Sequence, residues 1–237
     1  AGDIWRGSYW LYQTAPYWRA PTVFVGVVDP GVGTSRRSIV VRTCAGRLYV
    51  LPDNGLVTLV AEAEGVNEVR QIDETRNRLP GSEASNTFYG RDVFGFVGAR
   101  LAAGVIGWSE VGPLVPNDSL VRLAHTPAQV SGSTLKGNIP ALDVQYGNVW
   151  SNIPKAMLTQ AGVAEGDLVD VRIYRGSKLV NRVTAPFVAT FGSVPVGRPL
   201  VYINSLLQVS VALNQGNYAK AYGIASGPEW RIEVSKR

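Results

Sequence analysis

The sequence predicts an α/β N-terminal domain, with a central mostly parallel sheet and flanking helices, followed by a smaller mostly-β, barrel-like C-terminal domain. Helical and strand-like patterns alternate as far as about residue 123, whereas short strand patterns predominate after residue 137. The 237 residues are also enough for two modest domains. We therefore expect domains over residues 1–126 and 137–237, joined by a polar linker over residues 127–136.

The N-terminal elements follow in order. Asp3 is a suitable N-cap for a helix over residues 3–14, and the β-branched run 22–28 predicts a buried strand of the parallel type. The remaining predicted elements are strands over 38–43 and 47–51, a turn at Pro52-Asp53-Asn54-Gly55, a helix over 56–64 that ends at Gly65, and a helix over 91–103 that ends at Gly104.

The C-terminal elements are shorter and mostly extended. Arg175-Gly176 predicts a hairpin turn, and one helical segment covers residues 155–161. The predicted strands are residues 138–144, 168–174, 178–184 and 200–204. Short strands of this kind are typical of a barrel or sandwich.

Composition excludes several classes of protein. The net charge is +5, but the 23 lysines and arginines are scattered, so we expect no nucleic-acid partner. No apolar run reaches the ~18 residues that span a bilayer, so we expect no membrane partner. The single cysteine, Cys44, excludes an internal disulfide, favours a reducing, cytoplasmic compartment, and lies where we expect a small core residue.

The residue types also argue against a metal centre. With one histidine and one cysteine, a zinc site would need mostly carboxylate ligands, so we expect no metal. A Ser-His-Asp or Cys-His nucleophile would have to recruit His125. The chain opens at Ala1 without methionine, which predicts a processed or trimmed product.

The segment Val27–Arg37 is the most informative part of the chain. A strand pattern delivers Asp29 to a turn of Pro30, Gly31 and Gly33, and the arginines at 36 and 37 follow. A carboxylate beside arginine stays ionised and oriented. This pattern fits either a structural ion pair or an active-site carboxylate. It argues against phosphate binding, because Arg36 stands where the dinucleotide-binding motif G-x-G-x-x-G has its third glycine.

Two further segments carry chemistry. Thr87–Asp92 leads into a helix, where free backbone N–H groups and Gly90 would accommodate a ligand, although an ordinary helix entry has the same pattern. Asp143–Trp150 combines a carboxylate, an amide and two aromatic rings, which suits a planar base. Core aromatics beside a turn asparagine would also explain this second segment.

Five motifs occur in order along the chain: Val27–Arg37, Pro52–Leu56, Thr87–Asp92, Tyr146–Asn148 and Asn214–Asn217. Together they resemble the S-adenosylmethionine hydroxide adenosyltransferases (adenosine-forming S-adenosylmethionine hydrolases), relatives of the fluorinase and chlorinase. The resemblance implies the two-domain fold stated above and a homotrimer with active sites between neighbouring subunits. It also implies attack of water at C5′ of S-adenosylmethionine, which releases adenosine and methionine without a cofactor or metal.

The resemblance also implies site residues. Asp29 and Arg36 correspond to residues that position the attacking water, and Tyr89 and Gly90 lie beside them. The substrate-binding set that it implies is Asp143, Tyr146, Asn148 and Trp150 for the nucleoside, Ser205 for methionine, and Asn214 and Gln215 for adenine.

Three departures from the family pattern leave alternatives open. Tyr89 stands where the hydrolases have histidine and the halide-using branch has tyrosine, and it is a poor base near neutral pH. Val32 and Gly90 replace the threonine and serine of the fluorinase, which argues against fluoride. An acidic ribose-binding stretch has no counterpart before Ala1. The alternatives are a chlorinase-like halide user, which the charge of Asp29 disfavours, and a catalytically silent homologue that binds adenosine or S-adenosylmethionine.

Overall fold

A computed structural model describes residues 2–237. The chain divides into two compact units, with the boundary between Leu123 and Ala124. The first unit contains helices α1 (Ile4–Thr14), α2 (Thr58–Glu64) and α3 (Phe96–Ala102), with strands β1 (Val23–Val25), β2 (Ser38–Thr43), β3 (Leu48–Pro52), β4 (Val66–Gln71) and β5 (Leu114–Val115). Asp3 caps α1 by accepting a hydrogen bond from the Arg6 backbone, and Gly65 ends α2 at a φ of 70°.

The sheet of the first unit differs from the prediction. Its strand order is β1-β3-β2-β4-β5, with β1 and β3 parallel and the other pairings antiparallel. The sheet is therefore not mostly parallel, because the four-residue connection between β2 and β3 is too short for the crossover that parallel neighbours require. The strand predicted over residues 22–28 is shorter, and Val25 is exposed because β1 lies at the sheet edge.

The helix predicted over residues 91–103 begins with a wider turn. Gly90–Gly95 forms a π-helical segment that continues into α3, and Gly104 follows with a φ of 67°. The expected apolar stripe is present, since Val93, Phe94 and Val97 are fully buried against the sheet. Single π-turns of this kind occur often at functional sites.

The second unit contains two open antiparallel sheets and two helices. The helices are α4 (Lys155–Gln160) and α5 (Tyr218–Tyr222), and the strands are β6 (Gln129–Ser131), β7 (Thr134–Ile139), β8 (Ala141–Asp143), β9 (Asn148–Pro154), β10 (Leu168–Arg175), β11 (Lys178–Pro186), β12 (Pro199–Ile203), β13 (Gln208–Leu213) and β14 (Gly227–Lys236). The sheet orders are β11-β10-β14-β7-β6 and β12-β13-β9-β8. Their shared core includes Ile153, Val171 and Val211.

Two expectations for this half are corrected. The strands of residues 124–237 form two separate sheets and not a closed barrel. The segment 127–136 is not an irregular linker, because β6 and the start of β7 form a hairpin within it. Every residue of β6 is exposed, so this edge strand lacks the apolar alternation that would have revealed it.

Cys44 also differs from its prediction. It lies in the turn after β2, where the side chain is exposed and not part of the core. The apolar run of β2 ends one residue earlier, at the buried Thr43, and the chain then reverses direction at Gly46.

A buried tyrosine network joins β3 to α2. The hydroxyl of Tyr49 donates to Glu64 at 3.0 Å, and Arg47 donates to the same carboxylate oxygen at 2.9 Å. Burial first, and then the Glu64 charge, raise the pKa of Tyr49 well above its usual range. Tyr218 in the second unit is fully buried too, and burial likewise raises its pKa.

These tyrosines predict a loss of stability in alkali. Each ionises in the unfolded chain near pH 10 but only at higher pH in the folded protein, so their contribution is complete below pH 10 and declines above it. The free energy of unfolding should fall by up to about 1.4 kcal/mol per pH unit for each tyrosine. Denaturant unfolding between pH 9 and 11 measures this slope, and Tyr49→Phe should flatten it. An unchanged slope would contradict the assignment to Tyr49.

Candidate functional site

The first group of predicted site residues centres on a buried ion pair. Arg36 Nε donates to both oxygens of Asp29, at 3.0 and 2.9 Å, and Nη2 donates to Oδ2 at 2.6 Å. The two side chains are only 9% and 5% exposed. A bidentate pair with this little solvent contact holds the carboxylate in one fixed orientation.

Two sequence motifs position this pair. Asn54, in the turn after β3, donates from Nδ2 to the backbone oxygen of Val28 at 2.8 Å, which fixes the chain just before Asp29. Within the loop, the Thr34 hydroxyl donates to the Gly31 carbonyl at 2.6 Å. Gly33 adopts a φ of 77°, a backbone conformation that favours glycine.

The ion pair continues into a larger polar network. Arg36 Nη1 donates to the Ser38 hydroxyl at 2.8 Å, and that hydroxyl donates to Glu74 Oε1 at 2.7 Å. The guanidinium also stacks on aromatic rings, 4.8 Å from the centre of the Tyr89 ring and 5.1 Å from that of Phe94. Arg36 is therefore restrained by hydrogen bonds in its plane and by rings beside it.

Tyr89 is half-buried beside Arg36. Burial, followed by the charge of Glu74, raises the pKa of the Tyr89 hydroxyl, while the charges of Arg78 and Arg36 oppose this shift. The hydroxyl is consequently neutral at physiological pH, so it can donate and accept hydrogen bonds. It is a poor base when it acts alone.

Gly90 begins the π-helical segment. A Cβ atom added there would lie 3.5 Å from Val27 Cγ1, an ordinary van der Waals contact. The fold therefore tolerates a side chain at this position. Glycine simply leaves more space beside Tyr89.

The second group of predicted residues lies in the C-terminal unit around a cavity of about 880 Å³. All seven predicted substrate-binding residues line it: Asp143, Tyr146, Asn148, Trp150, Ser205, Asn214 and Gln215. They come from β8, β9 and the turn between them, from the β12–β13 turn, and from the segment after β13. The structure thus brings together residues that are more than 70 positions apart in sequence.

Polar contacts organise one side of the cavity. Asn148 Nδ2 lies 3.4 Å from Asp143 Oδ2, and Trp150 Nε1 donates to the Tyr202 hydroxyl at 3.2 Å. The Phe191 ring packs on the Tyr202 ring with 4.9 Å between centres. The cavity therefore offers aromatic surface next to amide and carboxylate groups, which suits a planar heterocycle bearing polar edges.

Two buried amide atoms in the cavity wall lack hydrogen-bond partners. Asn148 Oδ1 and Asn204 Nδ2 have no hydrogen-bond partner among the residues that the structure describes, although both side chains line the cavity and are almost fully buried. An unsatisfied buried polar atom costs about 1–3 kcal/mol. One acceptor and one donor are therefore available for a ligand.

Two tight turns complete the cavity wall. Asn204 Oδ1 accepts hydrogen bonds from the Leu206 and Gln208 backbones, at 3.0 and 3.1 Å, and this turn presents the exposed Ser205. Asn214 Nδ2 donates to the Val194 carbonyl at 2.7 Å, and Gln215 has a positive φ of 53°. The side-chain hydrogen bonds of Asn204 and Asn214, together with the strained backbone of Gln215, therefore fix the direction of the chain at the two turns.

Sequence reasoning missed several residues at both places. In the cavity these are Ala189, Phe191, Tyr202, Ile203 and Leu213, and beside the ion pair they are Ser38 and Glu74. Tyr202 could have been predicted from the sequence, because it stands two residues before Asn204 near the end of β12, and residues two apart in a strand face the same side. Glu74 had no such signal, since it follows β4 in a polar loop.

The described residues, 2–237, contain neither a cluster of metal-ligating side chains nor a helix that could span a membrane. Among residues 2–237, no three or more His, Cys, Asp or Glu side chains cluster closely enough to hold a metal ion. Within the same range, every helix is too short or too polar to cross a membrane.

The chain resembles characterised proteins along nearly its whole length. It is 38% identical to the (R)-S-adenosyl-L-methionine hydrolase of Salinispora tropica, over 98% of this chain and 82% of that protein. It is 34% identical to the protein of the same name from Thermus thermophilus, over 97% and 83% of the two chains. The fluorinase of Actinoplanes sp. is 30% identical over 95% and 81%.

Structure and family comparisons agree with these relatives. The crystal structure of an uncharacterized conserved protein from Thermotoga maritima superposes with a TM-score of 0.89 at 33% identity, over 99% of this chain and 84% of that one. Residues 1–112 match the SAM hydroxide adenosyltransferase N-terminal domain, and residues 137–231 match the C-terminal domain of the same family. The protein belongs to the SAM hydroxide adenosyltransferase family, as its five motifs predicted.

Proposed function

We propose that the protein hydrolyses S-adenosylmethionine to adenosine and methionine by in-line attack of water or hydroxide at C5′. The observation that carries the proposal is the cavity of the C-terminal unit, in which all seven predicted substrate-binding residues meet around two unpartnered amide atoms. Relatives that are 34–38% identical over nearly the full chain bear the name of this activity.

Asp29 and Arg36 hold the attacking water in this proposal. The buried ion pair presents a carboxylate of fixed orientation, which can direct the lone pair of a water molecule towards carbon. Attack on a sulfonium disperses positive charge in the transition state, so a site poor in bulk water favours the reaction. Tyr89 contributes a neutral hydroxyl as an accessory hydrogen-bonding group, and Gly90 leaves room beside it.

The C-terminal residues bind the substrate. Tyr146 and Trp150 offer their rings to the adenine, while Asp143 and Asn148 bind polar groups of the nucleoside. Ser205 contacts the methionine part, and Asn214 and Gln215 contact the adenine edge. The free Oδ1 of Asn148 supports this assignment, because the exocyclic amine of adenine is a hydrogen-bond donor.

The proposal includes the working state of the enzyme. We propose a homotrimer in which a neighbouring subunit completes each active site, a cytoplasmic location, and a reaction that requires no metal or cofactor. The single cysteine supports the reducing compartment. Sedimentation of the purified protein tests the trimer, and activity after exhaustive chelation tests the absence of a metal.

Product analysis tests the reaction itself. Chromatography of S-adenosylmethionine incubated with the protein is expected to show adenosine and methionine in equal amounts. The incubation without protein controls for spontaneous breakdown. Intact substrate after long incubation at high protein concentration would contradict hydrolysis.

Tyr89 supports two other functions to a lesser degree. It matches the halide-using branch, so a chlorinase-like activity would yield 5′-chloro-5′-deoxyadenosine in proportion to added chloride. The ionised Asp29 argues against this, because it repels a halide at the place of the water. A catalytically silent homologue would bind adenosine in calorimetry without any product from S-adenosylmethionine.

A further inference from the structure

Arg78 belongs to none of the five sequence motifs, yet its side chain holds a loop beside the ion pair. Nε donates to the Ser82 hydroxyl at 3.1 Å, and Nη2 donates to the carbonyls of Ser82 and Ser85 at 2.9 and 2.6 Å. Nη1 donates to Asn86 Oδ1 at 3.1 Å. One guanidinium therefore binds both ends of residues 82–86, which we call the 82–86 loop.

Hydrogen bonds, and not burial, set the course of the 82–86 loop. The loop contains no helix or strand, and four of its five residues are exposed. Only Ser82 is buried. Exposed backbone of this kind opens at low energetic cost when its hydrogen bonds are lost. The position of the loop consequently depends on Arg78.

The 82–86 loop contacts the loop that carries Asp29. A Cβ atom added at Gly33 would lie only 3.3 Å from the backbone oxygen of Asn86, so the two loops approach each other closely there. Asn86 precedes Tyr89 by three residues. The chain therefore enters Tyr89 from a point that is fixed against the Asp29 loop.

Arg78 also contacts the ring of Tyr89 directly. Its guanidinium carbon lies 5.2 Å from the centre of that ring, and the guanidinium carbon of Arg36 lies 4.8 Å from the same centre. Two guanidinium groups thus restrain one ring, because the negative π face attracts a cation. Arg36 is held by Asp29 and Arg78 by the 82–86 loop, so the ring is tied to both.

We propose that Arg78 is a positioning residue, which sets the Tyr89 hydroxyl at a fixed place beside the Asp29–Arg36 pair. The inference rests on the proposed hydrolysis, in which Tyr89 is an accessory hydrogen-bonding group. The hydroxyl orients the attacking water only while its ring neither tilts nor shifts. Arg78 restrains the ring through their direct contact and through the 82–86 loop. It bonds to neither the water nor the substrate in this role.

Arg78→Lys tests this role, because lysine keeps the charge but lacks the planar fork that reaches several acceptors and lies on a ring. We expect kcat for adenosine formation to fall about 10-fold, since a displaced hydroxyl no longer holds the water in line. KM for S-adenosylmethionine should stay within about twofold of wild type, because Arg78 does not line the cavity of the C-terminal unit. A loss confined to kcat separates positioning from substrate binding.

A double variant tests whether Arg78 acts through Tyr89. Tyr89→Phe keeps the ring but removes the hydroxyl. If Arg78 positions that hydroxyl, Arg78→Lys should lower kcat less than about twofold in the Tyr89→Phe background, against about 10-fold in the wild-type background. A loss of about 10-fold in both backgrounds would overturn the proposal, since Arg78 would then act independently of the hydroxyl.

Arg231→Lys is a matched control for the substitution itself. The guanidinium carbon of Arg231 lies 5.3 Å from the centre of the Tyr174 ring, and Nη2 donates to the Gly176 carbonyl at 2.7 Å. Arg231 does not line the cavity, so the kcat of this variant should stay within about twofold of wild type. Thermal unfolding checks the fold of each variant, and Arg78→Gln replaces Arg78→Lys if the latter does not fold.

Each outcome identifies which proposal fails. Wild-type protein that forms no adenosine overturns the hydrolysis and with it the role of Arg78. Wild-type turnover combined with an unchanged kcat in Arg78→Lys, or in Tyr89→Phe, overturns the positioning role and leaves the hydrolysis intact. A rise in KM without a fall in kcat does the same, because Arg78 would then contribute to substrate binding.

Discussion

Asp29→Asn is expected to lower kcat/KM for adenosine formation about 100-fold while the protein remains folded. The amide retains the shape of the side chain but loses its charge and one of the two acceptor oxygens that Arg36 engages. The attacking water would then lose its fixed orientation, and misplacing a reactant by 1 Å costs about 100-fold. Initial rates from chromatography, at substrate concentrations above and below KM, measure the change.

The stability cost of this substitution needs a matched control. Asp53 forms a similar pair with Arg37, accepts a hydrogen bond from the Val121 backbone at 3.0 Å, and has a side chain that is only 2% exposed. Both Asp29→Asn and Asp53→Asn should lower the free energy of unfolding by about 1–3 kcal/mol. Only Asp29→Asn should reduce the rate of the folded protein. Equal losses of activity in the two variants would mean that Asp29 acts through stability alone.

The sequence predicted local structure more successfully than the arrangement of strands. Asp3, Gly65 and Gly104 mark helix ends because capping and positive φ are properties of a few consecutive residues. The mostly parallel sheet was wrong, because direction depends on which strands become neighbours. Only β1 pairs in parallel within the first sheet, and a β-branched run does not specify its partner.

At the candidate site, too, the sequence indicated features that are local in the chain and missed contacts between distant residues. Segments such as Asp143–Trp150 were visible because their polar and aromatic residues stand together in the chain. Tyr202 and Glu74 were missed, since each reaches its network from a distant strand or loop and forms no motif with its partners. Hydrogen bonds between residues 36 or more positions apart leave no local pattern, so these two residues became evident only in the structure.

Gly147→Ala is expected to weaken adenosine binding at least 10-fold and to destabilise the C-terminal unit. Gly147 has a φ of 73°, and a Cβ atom there would lie 2.0 Å from Asn217 Cγ and Oδ1. Asn217 would have to move, yet it caps α5 by accepting from the Lys220 backbone at 2.7 Å and also lines the cavity. Loss of that cap costs about 0.5–2 kcal/mol, and the shift would displace the neighbouring Asn148.

Gly176→Ala separates this clash from simple backbone strain. Gly176 has a φ of 57° in the β10–β11 turn, and a Cβ atom there would meet nothing within 4 Å. In both variants the left-handed backbone of the new alanine lowers the free energy of unfolding by about 1–2 kcal/mol, so this part of the destabilisation is common to the two. Calorimetry with adenosine should therefore show normal affinity for Gly176→Ala and a 10-fold or larger loss for Gly147→Ala. Matching affinities would show that the Asn217 contact does not shape the cavity, because strain alone affects both variants equally.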